Sequence, residues 1–543
     1  MHELIAAFVD ELARAGMTDA CTSPGSRSTP LVLALAREQR LRAHSTIDER
    51  SSGFFALGAA KASGRPVAVT CTSGTAVANL LPAVIEASEA CVPLIVLSAD
   101  RPPELRGVGA GQTIDQIKIF GDAVRWFFEV GDHGASAEAW IRALAARAYA
   151  IASDPRRPGP VHLNWALREP LVPERAIVPI GAGRPGGRPW LAVRDPPHEP
   201  VALAELIAHP VRGVIVAGRD DRGLAPEIPA LAALAGYPLL ADPLSGARSG
   251  PAAIAHYDLL VREDPAPELV IRVGDLPTSK PLREWLARQS GARQILVDPH
   301  GTWQDPAAVI DTVLRCDPRS LQAPPPAEAS WLVSWREADA RAAGAIDALL
   351  GDGLSEPNLA RTLAAALPPD ATLLVAASMA VRELESFWPV LAAPPRVLAN
   401  RGANGIDGTI STAFGIAAVS AGPTFALVGD VALAHDIGGL LAARRLELAL
   451  TIVLIDNGGG AIFDRLPISS QADVYEQHVA TPTGLDFAHA ASLYGLPYTQ
   501  PATLGELRAA LETPGLIHVR TDRAHELALA QRLTSIRAGA PRA

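Results

Sequence analysis

Three α/β domains, each a doubly wound parallel sheet, are what this sequence predicts, on three observations. Short apolar runs alternate with helical patterns along nearly the whole chain. The runs stop in Ser, Thr, Gly or charged residues, the βα loops where such sheets build their sites. Two Pro-rich stretches, 171–200 and Gln322–Ser330, divide the 543 residues into blocks 1–185, 200–325 and 331–543. A chain of this length exceeds what one core supports.

Composition narrows the class. With 48% hydrophobic and 20% charged residues the chain reads as globular rather than disordered. A net charge of −10 argues against nucleic acid or an anionic membrane surface as main partner, so anion binding must come from locally placed Arg and Lys. No uncharged apolar run is long enough to cross a bilayer. The opening MHELIAAFVDELARAGM carries Glu3, Asp10 and Glu11 among apolar residues at helical spacing, an amphipathic helix rather than a signal peptide. The four cysteines (Cys21, Cys71, Cys91, Cys316) show neither a C-x-x-C pair nor zinc spacing and read as buried thiols. A reducing, cytoplasmic location follows as the expectation.

In the first block, strands near Asp19–Thr22, Ala43–Ile47, Pro66–Thr72 and Val92–Ser98 lead into polar turns. These hold Ser26 and Arg27, Glu49, Ser73-Gly74-Thr75, and Arg101. The linker contains Gly181, Gly183 and Gly186 in a formal G-x-G-x-x-G. Pro185 and Pro189 block the helix a nucleotide fingerprint needs, so a dinucleotide site is not expected. The central block offers strands at Val211–Ala217, Leu269–Val273 and Gln294–Val297, with Thr278-Ser279-Lys280 as an anion loop. In the third block an apolar run, Phe425–Val428, stops at Gly429-Asp430. A helical pattern (Leu433, Ile437, Leu440, Leu441) follows, and a second run, Leu450–Ile455, stops at Asp456-Asn457-Gly458-Gly459-Gly460. Strands joined this way lie parallel, so Asp430 and Asn457 can meet one ligand. One carboxylate, one amide oxygen and a freed glycine carbonyl suit Mg²⁺. The plainer reading is a capped strand end and a Gly-rich turn.

Four arginines, Arg27, Arg101, Arg382 and Arg401, read as loop residues rather than helix-face charges, with Lys280 as a fifth cation. Guanidinium forks hold carboxylates bidentately, so the group points to substrates with two or more carboxylates. Ser26, Gln112 and Ser378 offer neutral hydrogen bonds in similar loops. Ile406 is a core anchor or a wedge, and Ile462, Phe463 and Leu466 are core residues or a pocket wall. Glu49, before a helix, suits that helix's N-terminus.

Residues 424–463 resemble the diphosphate-anchoring motif of thiamine diphosphate enzymes, departing from it at Val431, where many carry Gly, and at Asp456, where many carry Asn. DERSSGFFALGAAKASGRPVAVTCTSGTAVANLLPAVIEA, ADRPPEL, GQTIDQ and NRGANGIDGTISTAFGIA are together similar to one family over nearly the whole chain. It is the 2-succinyl-5-enolpyruvyl-6-hydroxy-3-cyclohexene-1-carboxylate synthase family of menaquinone biosynthesis. The resemblance implies three domains of the thiamine diphosphate-binding type and a homo-oligomer with sites between chains. The activity implied is decarboxylation of 2-oxoglutarate and 1,4-addition to isochorismate.

Carried over by position, Glu49 would activate the cofactor from a dry site and Ile406 would hold it bent, with Ser378 and Arg401 also touching it. Asp430, Asn457 and the Gly459 carbonyl would hold Mg²⁺ or Mn²⁺. Ser26, Arg27, Arg101, Gln112, Lys280, Ser378, Arg382, Arg401, Ile462, Phe463 and Leu466 would line the substrate pocket. Pro281, where some members have a second basic residue, and Ala377, where members often carry Asn, are departures. Another thiamine diphosphate enzyme, such as an acetolactate synthase, stays open as an alternative, and a small-molecule sensor on this fold is the non-enzymatic one.

Overall fold

The computed structural model of the chain describes residues 1–131, 137–194, 199–537 and 539. Its strands form three larger sheets, and every strand pair in them is parallel. The first sheet is built from β1 (Asp19–Thr22), β2 (Arg42–Ser45), β3 (Val67–Cys71), β4 (Leu94–Asp100), β5 (Trp126–Val130) and β6 (Val161–Ala166), in the order β2-β1-β3-β4-β6-β5. All residues of β3 and β4 are buried, as in a parallel sheet covered on both faces, whereas β2 at the edge is largely exposed.

The second sheet has β7 (Gly213–Ala217), β8 (Leu239–Ala241), β9 (Leu269–Val273), β10 (Arg293–Val297) and β11 (Thr312–Leu314), ordered β11-β10-β9-β7-β8. The long helix Ala329–Leu350 covers one face of it, burying Trp331 and Trp335 edge to face. The third sheet contains β12 (Thr372–Val375), β13 (Arg396–Leu398), β14 (Thr424–Gly429), β15 (Thr451–Asp456), β16 (Tyr498–Thr499) and β17 (Gly515–Arg520), ordered β13-β12-β14-β15-β17-β16. Counted from its own first strand, this order repeats that of the first sheet.

The chain divides into two compact units. One is Met1–Pro196 with Asn400–Ser420 and His435–Leu448; the other is Pro197–Ala399, Ala421–Ala434 and Ala449–Ala543. In the first, helices Glu49–Ser63 and Thr409–Val419 pack at backbone distance. A Cβ on Gly58 would overlap the Thr412 carbonyl, and one on Gly415 would overlap the Phe55 carbonyl. The first helix, His2–Ala15, lies where the apolar spacing puts it, closed by Gly16 at φ 112.

Several expectations need correction. The helix after β14 is broken into Asp430–His435, a 3₁₀ turn Ile437–Leu440 and Leu441–Arg445. Asp436 at the break has a non-helical backbone, φ −118 and ψ 35, and its carboxylate accepts from the Ser411 amide and hydroxyl. Cys21 and Cys71 are buried, but Cys91 and Cys316 are only half-buried. Among the described residues no helix is long and apolar enough to cross a membrane.

The glycine packing predicts opposite effects for the same substitution. Gly415→Ala gains helix propensity yet inserts a methyl into backbone, and should destabilise by about 1–3 kcal/mol. Gly344→Ala, inside the Ala329–Leu350 helix with open space at its Cβ, should stabilise by up to about 1 kcal/mol. Urea unfolding of both variants checks this; a stabilised Gly415→Ala would refute the close approach.

Candidate active site

In the first unit the site residues sit at strand ends. Arg27, in the turn after β1, is 8% exposed, donates to the Leu167 carbonyl at 3.0 Å and leaves its Nε without a partner. Arg101, directly after β4, donates to the Ser73 hydroxyl. Partial burial and the neighbouring Arg27 cation pull its pKa down. Ser73 also ties in Gln112: its hydroxyl donates to the Gln112 carbonyl at 3.0 Å, and Gln112 Nε2 donates to the Ser73 carbonyl at 3.1 Å. Gln112 pays for this with φ 56, a left-handed backbone unusual for a non-glycine residue. Arg27, Arg101 and Gln112 are thus gathered around the loop after β3, and Ser26 stands exposed beside Arg27.

Two anchors escaped the sequence reading. Buried Gln116 accepts from the Gly74 amide at 2.9 Å and donates to the Ala99 carbonyl at 3.1 Å and to Asn164 Oδ1 at 2.9 Å, pinning the loops that carry Gln112 and Arg101. Buried Glu86 accepts from the amides of Gly402 and Ala403 at 2.9 and 2.6 Å and so clamps the loop of Arg401 and Ile406, both half-buried. A buried Gln inside GQTIDQ and a Glu on an apolar helix were the available signals. Glu49 is the first residue of its helix, behind the N-cap Asp48, and is half-buried rather than enclosed in a dry site.

In the second unit Asp430 opens a helix at the end of β14, 2% exposed, with Oδ2 unpartnered. Burial and the nearby Asp456 carboxylate push its pKa up to about 6. The backbone amides of Val431 and Gly459, the latter in the Gly-rich turn after β15, oppose that shift. Gly459 has φ 122, and a Cβ there would overlap the Ala480 carbonyl, so the turn requires glycine. Asn457, on the same turn, donates from Nδ2 to Glu356 Oε1 at 2.8 Å. An orphaned, buried carboxylate oxygen beside an amide and a glycine turn fits a hard divalent cation. Among the described residues no group of three His, Cys, Asp or Glu is so placed, so any metal relies on these mixed oxygens.

A cavity of about 520 Å³ in the same unit brings together Lys280, Arg382, Ile462 and Leu466. Phe463 is 37% exposed and Ser378 half-buried, and neither lines it. Arg382 lies on the helix Met379–Phe387 rather than in a loop, and Ser378 is that helix's N-cap, at φ 71. Lys280 begins a helix whose N-cap is Ser279, is exposed, and faces Glu284 at 3.6 Å, so the expected anion loop is a helix start. The cavity wall also holds Glu383, which the sequence reading passed over. Its carboxyl is pushed up to about 8 by burial and by Glu356 and Glu526, while Arg465 at 3.5 Å opposes the shift.

Comparison with known proteins bears on both halves. Residues 2–119 match the family model described as thiamine pyrophosphate enzyme, N-terminal TPP binding domain. Residues 183–375 match the middle domain of thiamine pyrophosphate enzymes, and 379–519 the C-terminal TPP binding domain. A protein of Chloroflexus aurantiacus named 2-succinyl-5-enolpyruvyl-6-hydroxy-3-cyclohexene-1-carboxylate synthase is 44% identical over 96% of this chain and 93% of its own. Proteins of the same name from Geobacillus kaustophilus and Halobacterium salinarum are 43% and 42% identical, over 96% and 93% of this chain and 95% and 91% of theirs.

Glu383 gives a pH prediction. A carboxyl that titrates near 8 when folded and near 4.5 otherwise holds its proton more tightly in the folded chain. Its contribution to stability is intact below about 4.5 and is lost as pH rises through about 8. Cofactor-free Glu383→Gln should therefore be more stable than the parent at pH 8.5, by roughly 1–3 kcal/mol, with the difference shrinking toward pH 5. Denaturant midpoints at the two pH values decide; a pH-independent difference would contradict a buried, neutral acid.

Proposed function

Because this chain belongs to the 2-succinyl-5-enolpyruvyl-6-hydroxy-3-cyclohexene-1-carboxylate synthase family of thiamine pyrophosphate enzymes, we propose that it decarboxylates 2-oxoglutarate and adds the remaining succinyl-semialdehyde unit to isochorismate. The addition is of the 1,4 type, CO₂ is released, and the product is the compound for which the relatives are named. The chain is a thiamine diphosphate-dependent, carbon–carbon bond-forming transferase of menaquinone biosynthesis. Bound thiamine diphosphate supplies the carbanion chemistry.

The chain's own residues supply grip and order. Asp430, Asn457 and the Gly459 carbonyl would hold Mg²⁺ or Mn²⁺ against the diphosphate. Glu49 would accept the aminopyrimidine end and Ile406 would support the bend, with Ser378 and Arg401 alongside. Arg27, donating to the Leu167 carbonyl, and Arg101, donating to the Ser73 hydroxyl, bring two guanidiniums to the strand ends of the first sheet, and a substrate carboxylate would offset their mutual repulsion. That pairing is the observation that carries the dicarboxylate reading. Ser26 and Gln112 would also contact substrate, as would Lys280, Arg382, Arg401, Ile462, Phe463 and Leu466. The reading includes separate domains at 1–185, 200–325 and 331–543, a cytoplasmic location and a homo-oligomer with sites between chains. The half-buried state of Glu49 in a single chain supports the last point.

Incubation of dialysed protein with thiamine diphosphate, Mg²⁺ and 2-oxoglutarate, with and without isochorismate, tests the proposal. Product should form only with both substrates; CO₂ release without carboligation would favour a simple decarboxylase. Arg101→Leu should lower kcat/KM for 2-oxoglutarate by about ten- to hundredfold, the loss of one charge-assisted bond. Mixed Glu49→Gln and Asp430→Asn proteins, each inactive, should regain part of the activity in hybrids. No recovery after verified subunit exchange would put the site within one chain.

A further inference from the structure

Asparagine is an ambiguous ligand. Its side chain carries one oxygen that can bind a cation and one NH₂ that cannot, and the two ends differ only by a rotation about the terminal bond. A metal site that uses Asn457 therefore needs something to fix which end points inward. We propose that Glu356 is the positioning residue that does so, holding the Asn457 NH₂ and turning its Oδ1 to the cation. The inference rests on the metal set given above.

The geometry is specific. Glu356 is 2% exposed, and its Oε1 accepts from Asn457 Nδ2 at 2.8 Å and from the Thr521 hydroxyl at 3.2 Å. Glu356 itself cannot drift. It is the first residue of the helix Glu356–Ala366, whose N-cap Ser355 accepts from the Asn358 amide. Its own backbone amide donates to Glu526 Oε1 at 3.2 Å. Burial raises the Glu356 pKa. The orientation does not depend on that, because both donors converge on Oε1 and any proton belongs on Oε2. A flipped amide would set Asn457 Oδ1 against this oxygen and leave Nδ2 aimed at the cation, losing on both sides. With Nδ2 committed to Glu356, Oδ1 is the end of the amide left to face a ligand.

The test is Mn²⁺ affinity, measured by electron paramagnetic resonance with thiamine diphosphate in excess. Glu356→Met, close in shape but without an acceptor, should weaken Mn²⁺ binding by roughly ten- to hundredfold, the range for partners that orient a ligand. Glu356→Gln, which keeps an accepting oxygen, should stay within about threefold of the parent. In an Asn457→Asp background, where either oxygen serves, Glu356→Met should add no further loss. If Glu356→Met fails to fold, Glu356→Asp retains the helix-start charge but stops short of Asn457, and should weaken Mn²⁺ in the same direction. Parent-like Mn²⁺ binding in the Met or Asp variant, or an equal loss in both backgrounds, would overturn the inference. Failure of the parent protein to bind Mn²⁺ at all would instead overturn the metal set.

Discussion

Parallel strand pairing is the constraint from which the rest follows. A parallel neighbour can be reached only by a crossover, so the carboxyl ends of all strands in a sheet open on one edge. The first and third sheets share one strand order, and their candidate residues occupy matching places in it. The three adjacent strands β1, β3 and β4 lead into loops holding Arg27, Ser73 and Arg101; their counterparts β12, β14 and β15 lead into Ser378, Asp430 and Asn457. The edge strands correspond too, with Glu49 after β2 and Arg401 after β13. One topology, used twice, thus presents two sets of loops with different chemistry.

The difference is one of sign. In the first unit the candidate loops put two arginines side by side, with Arg101 depressed by partial burial and its neighbour. In the second, burial holds Asp430, Glu383 and Glu526 above their ordinary range, helped by Asp456 beside Asp430 and by Glu356 beside Glu383 and Glu526. Like charges gathered out of water are costly unless a counter-ion arrives. A carboxylate would offset the guanidiniums, and a divalent cation would offset Asp430.

How much of this was legible follows from range. The helix His2–Ala15, the strand Leu269–Val273 and the turn Gly458–Gly460 are local patterns, and the sequence displays them directly. Strands β5 and β6 are not legible in the sequence, because Trp126–Val130 and Val161–Ala166 sit among loops and Pro-rich segments without clear alternation. Arg382 and Lys280 look like loop residues in the sequence because the serines before them, Ser378 and Ser279, signal loops and helix caps alike. Gln116, Glu86 and Glu356 were out of reach for a different reason. Each acts on a partner far along the chain, Gly402 for Glu86 and Asn457 for Glu356, and no spacing rule encodes such a pair.

The departure at Asp456 shows how local structure absorbs a change that looks unfavourable in sequence. An acid there adds negative charge next to Asp430, and Asp456 does contribute to raising the Asp430 pKa. Yet His518, on the neighbouring β17, donates from Nε2 to Asp456 at 2.9 Å and is itself backed by the Tyr498 hydroxyl at 2.8 Å. That hydrogen bond, more than any other influence, holds the Asp456 carboxyl below its ordinary range. The anion is thereby committed to its imidazole partner, on the strand side of the turn. Asp430 keeps its unpartnered oxygen. Of two carboxylates on adjacent strand ends, one is satisfied within the chain, and the other would be the one to meet a cation.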